Sequence, residues 1–222
     1  MIYLQTANED LLQVARKLCE IPELKGFRIV GGTAVALHFG HRISVDIDFF
    51  TGEKVNKKQI AALLLEKFPG CEAYVMQYGV RSEIQGIKVE LFDDWSTKFH
   101  DDAVIDEGLR LASPMDLAAL KLDAIIERRE KKDYIDLYVL FKSLGSDAVL
   151  EKFKMYNPHV SEKSVLFALG EVNVARENKS VMPEMLMEIS WKQVEASMIK
   201  AAEDFLMNRR PHLHVKRRGH GI

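Results

Sequence analysis

Cysteine is nearly absent: Cys19 and Cys71 are the only two in 222 residues. Two thiols so far apart give no disulfide framework and cannot supply a zinc site by themselves. Both read as reduced core thiols. No apolar run approaches the roughly 20 residues that cross a bilayer, so no membrane partner is expected. The first ten residues carry acids and lack the basic-then-apolar pattern of a secretion signal, which leaves the cytoplasm as the default location. An excess of one charge is missing as well. Thirty-one basic and 33 acidic residues leave a formal charge of −2, so any attraction for nucleic acid must come from local patches. There is no internal repeat and no low-complexity stretch. What remains is 47% hydrophobic and 29% charged, a globular balance in a chain long enough to bury a core without covalent help.

The first half mixes helices with strands. Asn8 caps a helix to about Glu20, with Leu11, Leu12, Val14, Ala15 and Leu18 at helical spacing. Pro22 and Gly26 break the chain before a short strand at 27–30. Gly31 and Gly32 read as a turn, 33–39 as a short helix and 45–50 as a strand. Asn56 caps a helix with Ile60, Leu63, Leu64 and Phe68 on its apolar face. Strands are expected near 73–78, 80–85 and 87–92, with Gln85-Gly86 as a tight turn. From Ser113 on, the chain reads as helical. Ser113-Pro114-Met115-Asp116 is a helix start, and that helix should reach about Arg129. Another runs from about Lys131 to Leu144 and stops at Gly145. Ser161 and Ser190 open two more. The expected division is a catalytic lobe over 1–112, a helical lobe over 113–208 and a basic tail over 209–222. The tail reads as a flexible terminus, with a phosphate-binding arm for RNA as the alternative. His212 and His214 there are weak metal candidates.

Chemistry concentrates between Gly31 and Phe50. A glycine pair follows a strand and opens a helix, where close backbone approach and free N–H groups favour a phosphate. Asp46 and Asp48 then stand two apart in an apolar strand. Period two puts both carboxylates on one face, with Val45, Ile47 and Phe49 on the other. Two adjacent anions repel unless a cation lies between them. Oxygen donors suit Mg²⁺, which bridges readily to substrate phosphates. Arg42 could pair with phosphate or with Asp46 or Asp48. Ser44 could reach a metal or phosphate, or simply end the loop. His38 and His41 are candidates for acceptor activation, although a lone histidine near a loop is more often structural.

Gly31-Gly32-Thr33-Ala34, followed by Arg42-x-Ser44-x-Asp46-x-Asp48-Phe49-Phe50, resembles the AbiEii/AbiGii toxin group of the polymerase β-type nucleotidyltransferases. The likeness covers roughly residues 28–142. It implies an α+β fold, with a nucleotidyltransferase lobe of mixed sheet and helices followed by a helical C-terminal lobe. It also implies a third carboxylate on a neighbouring strand. Glu90 fits within Lys88-Val89-Glu90-Leu91-Phe92, and a register shift would favour Asp93 or Asp94. A helical lysine that binds nucleotide phosphates and a following Asp pair fall at Lys121, Asp133 and Asp136. Lys121 sits among Leu117, Leu120, Ala124 and Ile125, where a lysine needs an anionic partner, either phosphate or Asp133. Arg128 and Arg129 add positive charge near the cleft or simply end their helix.

The expected function is metal-dependent transfer of a nucleoside monophosphate from an NTP to an acceptor hydroxyl. Asp46, Asp48 and Glu90 are the metal set, with Mg²⁺ or Mn²⁺ as the ion. Lys121 and Asp133 complete the catalytic set. Gly31, Gly32, Thr33, Arg42, Ser44, Lys121 and Asp136 are the nucleotide-binding set. The resemblance suggests a tRNA 3′ end or other RNA as acceptor, a toxin role and a separately encoded antitoxin. The alternatives are a small cationic acceptor of aminoglycoside type, bound by the acids Asp101, Asp102, Asp106 and Glu107, a protein acceptor, or a catalytically silent binding module.

Overall fold

The computed structural model describes residues 1–93 and 98–207; Asp94 and the basic tail, with His212 and His214, lie outside the described residues. A mixed sheet of order β3-β4-β5-β2-β1-β7-β6 forms the first half. Its strands are β1 (Arg28–Val30), β2 (Asp46–Thr51), β3 (Glu72–Met76), β4 (Gly79–Ile84), β5 (Ile87–Asp93), β6 (Val104–Asp106) and β7 (Leu109–Leu111). Helices α1 (Glu9–Glu20), α2 (Gly31–Phe39) and α3 (Lys57–Lys67) belong to this half. Then follow α4 (Pro114–Glu127), α5 (Lys131–Leu144), α6 (Ser146–Tyr156), α7 (Glu162–Gly170), α8 (Val172–Glu177) and α9 (Trp191–Met207). This is the expected α+β architecture.

Local chemistry accounts for most boundaries. The side chains of Asn8, Asn56, Ser113 and Ser161 each accept a backbone N–H at the start of their helix, which satisfies an otherwise orphaned donor. Gln85 and Gly86 both have positive φ in the β4–β5 turn, as a two-residue hairpin of the primed type requires. Glu107 and Gly108 repeat this between β6 and β7, a hairpin that the acidic run at 101–107 conceals in the sequence. The short α6 and α8 are likewise additions to the expected elements. Cys19 and Cys71 are free and only half-buried.

Two register details differ from expectation. The glycine pair is not a turn before α2 but its first helical turn. Strand β2 begins at Asp46, and Val45 before it is 64% exposed rather than facing inward. Ile47 and Phe49 are fully buried as expected. One hydrophobic core runs through both halves, from Leu11 and Leu18 on α1 through Val89 and Leu91 on β5 to Leu137, Leu169 and Met198. Helix α2 touches β2 on one side and α4 and α5 on the other, so the segment that opens with Gly31 sits where the sheet meets the helices.

Candidate active site

Strand β2 pairs in parallel with β5, and in that register Asp48 lies opposite Glu90. On its other side β2 runs antiparallel to β1, with Asp48 opposite Val30. Asp46 and Asp48 therefore share the face that Glu90 also presents, while Val89 and Leu91 point into the core. Gly31 follows Val30 directly, at φ 65°. A Cβ at Gly31 would come within 2.3 Å of Asp48 Oδ2, and one at Gly32 within 2.0 Å of Arg42 Nη2. Only glycine lets the start of α2 approach so closely. No side chain caps that start, so its N–H groups and positive dipole end remain available to an anion.

Behind this face lies a buried ion network. Lys121 on α4 is 4% exposed, and its Nζ stands 2.8 Å from both Asp133 Oδ1 and Asp136 Oδ2 on α5. Arg42 donates to Asp136 from Nε at 2.7 Å and from Nη2 at 2.9 Å. His41 Nε2 reaches the same carboxylate at 2.8 Å, and Arg128 Nε donates to Asp133 at 2.8 Å. Burial alone would raise the Asp133 and Asp136 pKa values. The cations outweigh it, holding Asp133 below the usual carboxylate range and Asp136 well below it. The Lys121 ammonium is held charged against burial by the two aspartates.

Asp48 behaves in the opposite way. Burial raises its pKa, and the charges of Glu90 and, less strongly, Asp46 add to the rise against the opposing pull of Lys121 and Lys88. That is a carboxylate face short of positive charge. Glu90 is already neutralised: Arg81 Nη2 lies 2.6 Å and Lys88 Nζ 2.7 Å from its two oxygens. Against burial, those partners lower its pKa. Among the described residues no three His, Cys, Asp or Glu side chains converge closely enough to hold a metal ion. Asp46, Asp48 and Glu90 nevertheless line one cavity together, with Glu90 engaged by Arg81 and Lys88. Asp46 and Asp48 by themselves fit a hard divalent cation whose remaining ligands are phosphate and water.

A model of the AbiEii family, described as the nucleotidyl transferase AbiEii toxin of a type IV TA system, matches residues 14–94 and 85–213. The chain belongs to this family. It is therefore a nucleotidyltransferase, an enzyme that transfers nucleoside monophosphates. An uncharacterized protein of Aquifex aeolicus (strain VF5) is 26% identical over 210 residues, spanning 90% of this chain and 98% of that protein. Among solved structures, JHP933 from Helicobacter pylori aligns over 94% of each chain with 16% identity and a TM-score of 0.56. The antibiotic-resistance factor ANT(2'')-Ia aligns over 68% of this chain and 92% of its own, with 15% identity and a TM-score of 0.52. These two establish likeness of fold.

In this AbiEii-family chain, two adjoining cavities open over the carboxylate face. One, of about 360 Å³, is lined by Gly31, Gly32, Asp46, Asp48, Lys121 and Arg128 among others. The second, of about 250 Å³, shares most of these and adds Lys88 and Glu90. Thr33, Arg42 and Ser44 also line the larger cavity, each with protein partners of its own. Thr33 is buried, and its hydroxyl donates to the Asp46 carbonyl and lies 2.8 Å from Ser44 Oγ, fixing the entry into β2. Arg42 pairs with Asp136 rather than with Asp46 or Asp48. Asp133 and Asp136 are fully buried behind the cavities. His41 is buried against Asp136, and His38 bonds the Ala112 carbonyl at 2.9 Å. Asp93 is salt-bridged to Lys57 at 3.1 Å.

One stretch escaped sequence reasoning. Residues 181–184, between α8 and α9, line the larger cavity. Ile43 donates its N–H to the Glu184 carbonyl at 2.8 Å, and the His41 carbonyl accepts from Leu186 and Met187. Val181-Met182-Pro183 is an apolar run broken by proline, outside any helical period. That is the one signal that could have singled it out.

Proposed function

We propose that this chain transfers a nucleoside monophosphate from a Mg²⁺-bound NTP to a hydroxyl at an RNA end, with a tRNA 3′ end as the leading candidate. The observation that carries the reading is the pairing of a carboxylate face short of positive charge with an uncapped helix start across one cavity. The Gly31 and Gly32 N–H groups receive the triphosphate, and Ser44 stands beside it. Asp46 and Asp48 hold the divalent ion, with Mn²⁺ as a substitute for Mg²⁺. That ion supplies charge stabilisation for the leaving pyrophosphate and a lowered pKa for the attacking hydroxyl. The acceptor oxygen forms a bond to the α-phosphorus as the α–β bridging bond breaks, and pyrophosphate leaves. Glu90, once released from Lys88, joins the carboxylate face and takes up the hydroxyl proton. Lys121 presents its ammonium to the phosphates, while Asp133, Asp136 and Arg42 hold Lys121 in position. Catalysis of this kind is positioning and electrostatics.

An RNA acceptor is favoured over a small cationic one by what surrounds the cleft. Arg128 and Lys132 line both cavities, and Lys88 lines the smaller. The acids that could have held a cationic acceptor are turned to other work. Asp106 pairs with the N-terminal amine, the Asp101 side chain accepts from Ser113, and the hairpin that holds Asp106 and Glu107 lies beyond β1 at the far end of the sheet. We further propose a separately encoded antitoxin, in keeping with the toxin family, and a catalytic lobe over 1–112 with a helical lobe over 113–208.

The test is incubation of the protein with Mg²⁺, each labelled NTP in turn and total RNA, resolved on a gel. A labelled RNA band that vanishes with Asp46→Ala is the expected result. Label appearing only on protein or small molecules would overturn the RNA reading.

A further inference from the structure

We infer that residues 181–183 form the seat for the base of the donor nucleotide, an inference that rests on the nucleotidyltransferase reading of the cavity. The lining of the larger cavity contains two chemically unlike sets of groups, with Glu184 following the second. Gly31, Gly32, Asp46, Asp48, Lys121 and Arg128 suit a metal-bound triphosphate. Val181, Met182 and Pro183 offer it no charge. A nucleoside triphosphate has the same two-part chemistry, a charged tail and a flat, largely apolar base. Val181 is 90% and Met182 44% exposed, so both leave apolar surface for a ligand to cover. Methionine is suited to this, since its flexible, polarizable thioether packs well on aromatic faces.

The segment is not a loose loop at the cavity mouth. The N–H of Ile43 donates to the Glu184 carbonyl at 2.8 Å, and the N–H groups of Leu186 and Met187 donate to the His41 carbonyl at 2.9 and 3.1 Å. Arg42 and Met185 form a β-bridge between these bonds. His41 and Arg42 are in turn locked to Asp136, which also holds Lys121. A single buried carboxylate therefore ties the apolar segment to the lysine that faces the phosphates. That tie links the placement of the base seat to that of the phosphate site. Stacking of this kind supplies affinity for a base without choosing strongly among the four.

The experiment measures binding of each of the four NTPs and of inorganic tripolyphosphate, all with Mg²⁺, to the wild type and to the double variant Val181→Ser/Met182→Ser, by calorimetry. Both side chains are exposed, so the variant is expected to fold, which circular dichroism checks. Removing the apolar contact should raise the Kd for NTP about ten-fold and leave tripolyphosphate binding unchanged. In turnover the KM for NTP should rise with kcat retained. Unchanged NTP affinity in the folded variant overturns the base seat while leaving the enzyme reading intact, as does a wild type that binds tripolyphosphate as tightly as NTP. A wild type that binds neither ligand overturns the enzyme reading together with the base seat.

Discussion

Arg42 and Asp136, 94 positions apart, form a two-point ion pair in which guanidinium Nε and Nη2 each donate to a different carboxylate oxygen, at 2.7 and 2.9 Å. Arg42 stands four residues before Asp46, and Asp136 lies in the first turns of α5. The pair therefore joins the loop that leads into β2 to the helical half. Lys121 and His41 meet the same carboxylate. The helices are thus part of the cavity's construction, even though its carboxylate face belongs to the sheet.

Arg42→Ala should destabilise the fold by about 3–5 kcal/mol, because Asp136 would remain buried with part of its compensation gone. Arg42→Lys should recover only part of that loss, since an ammonium cannot reproduce the two-point fork. Urea denaturation of the three proteins checks this. Equal midpoints for Arg42→Ala and the wild type would remove the pair from the account of stability.

Asp48→Asn should separate function from stability. The Asp48 pKa is raised by burial first and by the Glu90 charge second. In the unliganded protein ionised Asp48 therefore opposes folding at neutral pH, and an amide relieves that strain. We expect the variant to melt about 2–4 °C above the wild type, the shift that roughly 1 kcal/mol gives in a chain of this size. Its transfer activity should fall by at least about a hundred-fold, the cost of losing a preorganised charge in such sites. Calorimetry in the absence of divalent metal gives the first number and labelled-NTP transfer gives the second. A lower melting temperature would mean that Asp48 has a stabilising partner in solution.

Much of this was legible in the residues. Asp46-x-Asp48, with Ile47 between them and Phe49 after, reads as a strand with one polar and one buried face. Asn8, Asn56, Ser113 and Ser161 announce their helices through local side-chain chemistry. The rest depended on contacts between residues distant in sequence. No local pattern says that Arg42 turns toward Asp136, because an arginine before two aspartates reads equally well as their neighbour's partner. Val45 looked like part of the buried alternation, yet it lies just outside the strand, where the chain is still pinned through the Ser44 N–H to the Thr6 carbonyl. Residues 181–184 acquire meaning only through the backbone bonds that bring them against 41–43.

Glu90, Asp93 and Asp94 were rival third carboxylates, and the surroundings of the first two predict different losses. Glu90→Gln should keep the fold and lower transfer at least about ten-fold, since the carboxylate faces Asp48 across the β2–β5 register. Asp93 is 7% exposed, accepts the Val55 N–H at 3.3 Å and pairs with Lys57. Asp93→Asn should therefore lower the denaturation midpoint while leaving KM for NTP and kcat near their wild-type values. The reverse pattern would assign the third carboxylate to Asp93.

The buried network also sets an acid limit on stability. Asp133 and Asp136 resist burial because Lys121, with Arg128 at Asp133 and Arg42 at Asp136, holds them ionised, so their folded pKa values lie below the unfolded one. A depressed carboxylate contributes stability that is present above the unfolded pKa of about 3.9 and is lost as pH falls toward the folded value. Lys121 works in the other direction: its raised pKa contributes below about 10.4 and fails only as pH rises through the folded value. Unfolding free energy should therefore show no loss from this network between about pH 5 and 9, and should fall in acid below about pH 4. Asp136→Asn, less stable at pH 7, lacks one of these titrations. The gap between it and the wild type should narrow by about 1.4 kcal/mol for each pH unit below 3.9 until the folded pKa is reached. Urea titrations at pH 7, 4, 3.5 and 3 measure that gap. A gap that stayed constant to pH 3 would show that Asp136 is not held ionised in the folded protein, and the tie it makes between Lys121, Arg42 and His41 would have to be redrawn as neutral hydrogen bonds.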